Sequence, residues 1–293
     1  MKGVFKIAGS KAKLADKIIS LLPSATNFIE PFYGSGCVSL TTVDSFPGKY
    51  EKFFCNDANE SIWSIHEYLK TNSKKFIEDI GLLFSFEESN SKENFIRNKI
   101  TYNSSYYKGW DYTGALFYYL SHHCFNGLIR YNKKGEFNTP YANYKNVKFN
   151  REHLLKCAEI YQKDFVFFNH DYKIFLNWIA NTLQKNELPR YISLSNSVIY
   201  CDPPYLPATK SNFSYCGING TFNYSNHVEL ANLAEKLVKN NPGLVFAISN
   251  SYCERSLELY KNAKDKFVLS AYRSVASSAD VRGNTKELLV IYS

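Results

Sequence analysis

Asn27-Phe28-Ile29-Glu30-Pro31-Phe32-Tyr33-Gly34-Ser35-Gly36 is the stretch on which the fold turns. A short apolar strand ends in an acid and a proline, two glycines follow, and Val38-Ser39-Leu40 begins a helix. A second strand, Phe53-Phe54-Cys55-Asn56, ends at Asp57 and runs into Asn59-Glu60-Ser61-Ile62. Strand, glycine loop, helix, strand and acid make the first half of a nucleotide-binding βαβ unit. Gly34, Ser35 and Gly36 leave room for a ligand to approach the backbone at the strand's carboxyl end. The sequence holds no GxGxxG and no Walker lysine, which favours an adenosine-bearing cofactor other than a dinucleotide or triphosphate. Asp57 is placed either to hold ribose hydroxyls as a two-acceptor fork or to cap the following helix.

Upstream, Ser10 is predicted to cap a helix whose apolar face is Leu14, Ile18, Leu21 and Leu22, stopped by Pro23. Lys11, Lys13 and Lys17 fall largely off that face. Downstream the character changes from about residue 65 to 160: helical patterns such as Lys74 to Phe84 and Trp110 to Tyr119 replace strand signals. The expected organisation is a catalytic domain formed by residues 1–63 and 161–293, with a mostly helical recognition subdomain, 64–160, inserted between them. Within the insertion, Leu128-Ile129-Arg130-Tyr131-Asn132 and Phe137-Asn138-Thr139-Pro140-Tyr141 flank Lys133-Lys134-Gly135-Glu136. This reads as a β-hairpin with Gly135 left-handed. Alternation of strand and helix resumes at Asp164–Phe168 and continues through Ser197–Cys201, a helix from Val228 to Lys239, Gly243–Ile248, Lys266–Leu269 and Glu287–Tyr292. Asp171, just after one of these strands, is placed to accept from an adenine amine or to cap a helix. Residues 209–226, rich in Asn, Ser, Gly and Tyr, read as a mobile loop.

The strand Ser197-Val198-Ile199-Tyr200-Cys201 stops at Asp202-Pro203-Pro204-Tyr205. Neither proline has an N–H for a sheet ladder, and each biases the preceding residue away from the helical region. The result is a stiff corner presenting a carboxylate, backbone carbonyls and an aromatic face. It suits a planar base with an exocyclic amine; the plainer reading is a proline turn with a solvated Asp and a packed Tyr.

The chain has 293 residues and a formal charge of +8. Residues 121–150 carry five basic side chains against one acid, so half of the excess charge lies in about a tenth of the chain. That fits a polyanion partner. Seven scattered cysteines without a CxxC pair favour neither a disulfide framework nor a zinc site, and His122-His123-Cys124 lacks a second cluster to complete a metal site. No metal is expected. Without a signal peptide or a long uncharged apolar run, the protein is expected in the cytoplasm, with no membrane partner.

Taken together, these motifs resemble the DNA adenine methylase (Dam) family, S-adenosylmethionine-dependent N6-adenine DNA methyltransferases of the α arrangement, over nearly the whole chain. Ala8-Gly9-Ser10-Lys11 resembles that family's first cofactor motif, and Phe28 to Gly36 its methionine-binding loop. Phe125-Asn126-Gly127-Leu128-Ile129-Arg130-Tyr131-Asn132, continuing to Tyr141, is similar to its recognition hairpin. Asp202 to Tyr205 resembles its catalytic motif, and Ser249-Asn250 and Glu287-Leu288-Leu289 also fit. Three departures stand out: Ser10 replaces a usual glycine, Ile7 an aromatic residue, and Tyr141-Ala142-Asn143 an aromatic-Gly-basic segment.

The resemblance implies a Rossmann-like α/β methyltransferase sheet. It implies S-adenosylmethionine bound by Ile7, Ala8, Gly9, Lys11, Glu30, Pro31, Phe32, Gly34, Ser35, Gly36, Asp57, Asp171, Tyr172 and Asp202. Double-stranded DNA would be held by Lys6, Phe125, Asn126, Leu128, Arg130, Asn132, Pro140 and Tyr144. Arg130 and Lys6 can take guanine in the major groove, Leu128 and Pro140 can touch a thymine methyl, and Phe125 can wedge into the stack a flipped adenine leaves. The site expected from the family is GATC, and the chain is expected to act as a monomer. Asp202 and the Pro203 carbonyl would accept the adenine amine's two N–H bonds while Tyr205 stacks on the base. An N4-cytosine methyltransferase, or an inactive module that binds cofactor and DNA, are the alternatives.

Overall fold

The computed structural model describes residues 1–85, 88–104, 110–185, 194–206, 216–217, 220–273 and 283–293. Its first part runs α1 (Ala15–Leu21), β1 (Asn27–Glu30), α2 (Cys37–Ser45), β2 (Lys52–Asn56) and α3 (Glu60–Thr71). Then come α4 (Ser73–Ser85), α5 (Lys92–Asn103), α6 (Trp110–His123) and α7 (Arg151–Tyr161). The chain returns to β3 (Asp164–Phe168), α8 (Tyr172–Lys185) and β4 (Ser197–Cys201), with a small ribbon of β5 (Cys216–Gly217) and β6 (Gly220–Thr221). It ends with α9 (Tyr224–Asn240), β7 (Val245–Ser251), α10 (Glu254–Leu259), β8 (Asp265–Arg273) and β9 (Gly283–Tyr292).

Seven strands form one sheet in the order β3-β2-β1-β4-β7-β9-β8. The first five are mutually parallel, and β9 runs antiparallel to both β7 and β8. Alternate side chains enter two cores. Phe28, Phe53, Val198, Tyr200 and Leu289 face one; Ile29, Phe54, Ile199, Ile248 and Leu288 face the other. A sheet covered on both faces needs apolar residues at successive positions, which is why these strands read as unbroken apolar runs. α8 and α9 cover the second face. The first is covered by α1, α2 and α3 together with α4, α6 and α7 of the expected insertion.

The expected boundary at residue 64 lies within α3, whose Ile62, Ile65 and Leu69 share a core cluster with the sheet. One expectation needs correction. Ser10 does not cap α1; the helix begins at Ala15 after a turn in which Leu14 and Ala15 both donate to the Lys11 carbonyl. The Ser10 hydroxyl instead lies 3.4 Å from that of Ser35. Half of the segment expected as a loop, 209–226, lies outside the described residues; the rest includes β5, β6 and the start of α9 at Tyr224.

From β1 the strand order runs outward to β2 and β3, then reverses to β4. Such a reversal opens a crevice beyond the carboxyl ends of the two strands flanking it, here β1 and β4. The glycine loop follows β1, and Asp202-Pro203-Pro204-Tyr205 follows β4. Topology thus brings together two motifs some 170 residues apart in sequence, as the Asn27–Ser197 pairing at the other end of the same strands shows.

Candidate functional site

The glycine loop is held by three neighbouring elements. Asn56, buried at the end of β2, donates to the carbonyls of Pro31 and His170 at 3.0 and 2.9 Å and accepts from the His170 N–H. Gly34 donates its N–H to Asp57 Oδ2 at 2.9 Å, and Asn59 donates its N–H to Asp57 Oδ1 at 2.9 Å. Asp57 therefore does not cap α3; Asn59 does. Burial raises the Asp57 carboxyl to about 6 against the lowering effect of those two N–H groups. The Gly34 carbonyl accepts from His66 Nε2 at 2.7 Å. A carbonyl only accepts, so Nε2 carries the proton, and Nδ1 of the neutral ring accepts from Tyr161 at 2.8 Å. Tyr33 completes this buried chain through its 3.3 Å contact with the Tyr161 hydroxyl.

Two positions show why the glycines are needed. Gly36 has φ 74°, and a Cβ there would lie 2.7 Å from the Tyr33 ring. Gly34, at φ 52°, borders open space, as does Gly9 at φ 84°. The Ala8-Gly9-Ser10 segment is exposed, with Ala8 donating to the Gly127 carbonyl at 2.9 Å, while Ile7 is half-buried. Room beside Gly9 and Gly34, with an acid bonded to the loop, fits a bound adenosine-bearing cofactor. Phe32 packs against Tyr172 and edge-on to Phe222, whereas Glu30 is enclosed and accepts from Ser39. Asp171 caps α8 by accepting from the Lys173 N–H at 2.9 Å.

Lys11 leaves the outer surface and enters the site. Its ammonium lies 2.9 Å from Asp202 Oδ2 and 3.8 Å from Glu287, 4.6 Å over the Tyr205 ring, and donates to the Gly9 carbonyl at 2.9 Å. Tyr205 donates to Glu287 at 2.7 Å. Burial raises the Asp202 pKa while Lys11 pulls it back down. Asp202 Oδ1 is buried and has no hydrogen-bond partner. A buried acceptor without a donor costs about 1–3 kcal/mol, which makes this oxygen a candidate acceptor for a ligand N–H. Pro203 is buried and Pro204 half-buried beside it. The corner's exit is fixed by Asn250 Oδ1, which accepts from Leu206 N at 3.0 Å, and by Ser251, whose hydroxyl donates to the Leu206 carbonyl.

The hairpin projects from the helical layer. Its arms are antiparallel but meet through the isolated bridges Tyr131–Phe137 and Cys124–Tyr141, so the extended arms expected from sequence form no continuous ladder. Gly135 is left-handed at φ 77°. Arg130 is exposed, with Nε and Nη2 donating to the Asn138 side chain and carbonyl at 2.8 and 3.2 Å. Phe125 and Pro140 are exposed and joined by a 2.8 Å backbone bond; Leu128 is half-buried. Lys6 stands 4.1 Å over the Tyr144 ring, whose hydroxyl accepts from the Asn126 N–H at 3.1 Å. The Lys6–Tyr144–Asn126 contacts adjoin the backbone bond between Ala8 and Gly127. Asn132 is different: its oxygen accepts from the N–H groups of Lys134 and Glu136 and its amide donates to Glu136, so it organises the turn.

Sequence reasoning missed Asn56, His66, His227 and the role of Glu287 beside Lys11. A polar residue closing an apolar strand was a usable signal for Asn56; the others acquire partners only through long-range folding. Among the described residues no three His, Cys, Asp or Glu side chains group as a metal-ion set, and no helix is long and apolar enough to cross a membrane.

Residues 8–275 match the family model of D12 class N6 adenine-specific DNA methyltransferases. Similar proteins include the DNA adenine methylase of Vibrio cholerae, 33% identical with 100% of this chain and 96% of that one covered. That of Serratia marcescens is 31% identical, covering 99% and 98%. That of Escherichia coli is 30% identical, covering 99% and 95%.

Proposed function

The chain belongs to the D12 class of N6 adenine-specific DNA methyltransferases, and on that premise we propose that it methylates a flipped adenine within GATC, with S-adenosylmethionine as donor. The cofactor supplies the methyl group as a sulfonium, activated before it reaches the protein. The chain's own residues bind and orient. Gly9, Gly34 and Asp57 line the cofactor side, with Ile7, Ala8, Phe32 and Tyr172 as apolar neighbours.

The observation that carries the reading is Asp202 Oδ1, a buried acceptor without a donor at the switch point of the sheet. The adenine amine is a poor nucleophile because its lone pair is delocalised into the ring. Accepting its N–H bonds at Asp202 Oδ1 and the Pro203 carbonyl favours tetrahedral character at nitrogen and frees that lone pair for in-line attack. Lys11 keeps the other carboxylate oxygen charged and fixed, so the group needs no reorganisation during transfer. Tyr205, tethered to Glu287, offers its ring to the flipped base. Taking an adenine out of the duplex costs a few kcal/mol, offset by phosphate contacts from the basic hairpin and by Phe125 filling the vacated stack.

The deciding experiment is base-resolved mapping of DNA from cells expressing the wild type or Asp202→Ala. N6-methyladenine is expected at GATC with the wild type, and loss of roughly 10³-fold in transfer rate with the variant. Methylcytosine, or adenine methylation outside GATC, overturns the substrate; near-normal activity of Asp202→Ala overturns the role of the corner. The chain is proposed to act as a monomer in the cytoplasm.

A further inference from the structure

Between Cys201 and Leu206 the chain has few backbone donors, because Pro203 and Pro204 have none. The corner cannot tie itself down and must be held from outside. Asn250, fully buried at the end of β7, is one holder. Its Oδ1 accepts from Leu206 N at 3.0 Å and Ser251 N at 2.9 Å, which fixes which end of the amide is oxygen. Its Nδ2 therefore has two hydrogens to place. One goes to the Tyr260 hydroxyl at 3.0 Å; the other points to His227 Nδ1 at 3.3 Å. Tyr260 itself lies 3.4 Å from the same ring nitrogen.

His227, on α9, is 1% exposed. With two donors on Nδ1, that nitrogen is the acceptor and Nε2 carries the proton of the neutral ring. The Pro204 backbone is the neighbour that favours the ring's proton. Burial, then Arg255, hold the ring down to about 4, so it stays neutral at working pH. Phe222 packs edge-on against the imidazole at 4.7 Å and edge-on against Phe32 of the glycine loop at 5.7 Å. The ring thus sits where the catalytic corner and the cofactor loop are both within one side chain.

We propose that His227 is a positioning residue for methyl transfer: through Asn250 and the Pro204 carbonyl it aims Asp202 Oδ1 and the Pro203 carbonyl at the target amine. The proposal rests on the corner holding that amine. A merely structural histidine would affect stability and binding; a positioning one affects the chemical step. Misplacement by about 1 Å costs on the order of 10²-fold in rate.

The test compares His227→Leu with His227→Gln, whose amide supplies a donor and an acceptor in one group. Single-turnover methylation of a GATC duplex is measured at saturating S-adenosylmethionine, alongside dissociation constants for cofactor and duplex. His227→Leu is expected to slow the chemical step by roughly 10²-fold, with both constants within about threefold, and His227→Gln to recover most of the rate. Equal losses in the two variants, an unchanged rate in His227→Leu, or a loss confined to the binding constants overturns the proposal. Should His227→Leu fail to fold, Tyr260→Phe removes one donor at Nδ1 and is expected to slow the chemical step several-fold; an unchanged rate there overturns it equally. An active Asp202→Ala control sinks the reading of the corner itself. An indifferent His227 series beside an inactive Asp202→Ala sinks only the positioning role.

Discussion

Glu30 and Asp202 stand at the ends of adjacent parallel strands, yet their surroundings separate them. Asp202 has Lys11; Glu30 has Ser39, through its hydroxyl and its backbone. Burial, opposed by Ser39 and reinforced by the Asp202 charge, raises Glu30 to about 8. Burial thus favours the neutral form of Glu30, while the Lys11 ammonium favours the charged form of Asp202. A folded-state pKa above the unfolded one means that Glu30's contribution to stability is full below the ordinary carboxylate range. It is lost as pH rises through about 8. Glu30→Gln mimics the neutral acid without titrating. Its urea midpoint should match the wild type near pH 5 within about 1 kcal/mol and exceed it increasingly up to pH 9, by several kcal/mol at most. An identical gap at both pH values would mean that Glu30 is charged throughout.

The hairpin shows how an element without a regular ladder is kept in one shape. Asn132 folds the turn, Tyr131 reaches back to Asn59 at 2.9 Å, and Asn103 pairs with both backbone groups of Phe137. Asn59 in turn donates to Asp57, so the recognition arm and the acid of the cofactor side share a continuous set of bonds. On the outer face Asn138 grips one edge of Arg130; in the proposed recognition role the other edge meets a guanine. That grip fixes the direction in which the guanidinium points, and an Arg–guanine pair carries about 1–3 kcal/mol of discrimination. Asn138→Ala retains every positive charge of the hairpin. It should leave affinity for non-specific duplex within about twofold while lowering discrimination against a substituted guanine several-fold. Competition with duplexes altered one base pair at a time makes the measurement; a uniform loss across all sequences would show that Arg130 binds phosphate.

At the scale of the whole molecule, what was legible in the sequence is what local chemistry forces. Buried parallel strands advertise themselves as unbroken apolar runs, and glycines and prolines mark the loops at their ends. The helices between β2 and β3 were visible from their periodicity. α3 keeps one period while serving two neighbours, and no compositional change marks the point where it leaves the sheet. The bonds of His66, His227 and Glu287 were hidden for another reason: their partners lie far away along the chain and become neighbours only on folding. The same burial has a collective consequence. His66, His123 and His227 are each almost fully enclosed, and burial is the leading cause holding each at about 4. In the unfolded chain such rings take up protons near pH 6.5. Folded-state values below the unfolded ones give a contribution to stability that is full above about 6.5 and is lost as pH falls toward 4. Burial holds His122 at about 4 as well, so four rings resist protonation in the folded chain, each contributing on the order of 3 kcal/mol at most; Glu30 and Asp57, raised to about 8 and about 6, take up protons in the folded chain first and offset part of that loss. Urea unfolding between pH 7 and 4.5 should therefore show stability falling by several kcal/mol, with a slope that decreases by about one proton in His123→Gln. A flat profile over that range would mean that these rings carry their protons in the folded state, which the acceptor roles of His66 and His227 Nδ1 do not permit.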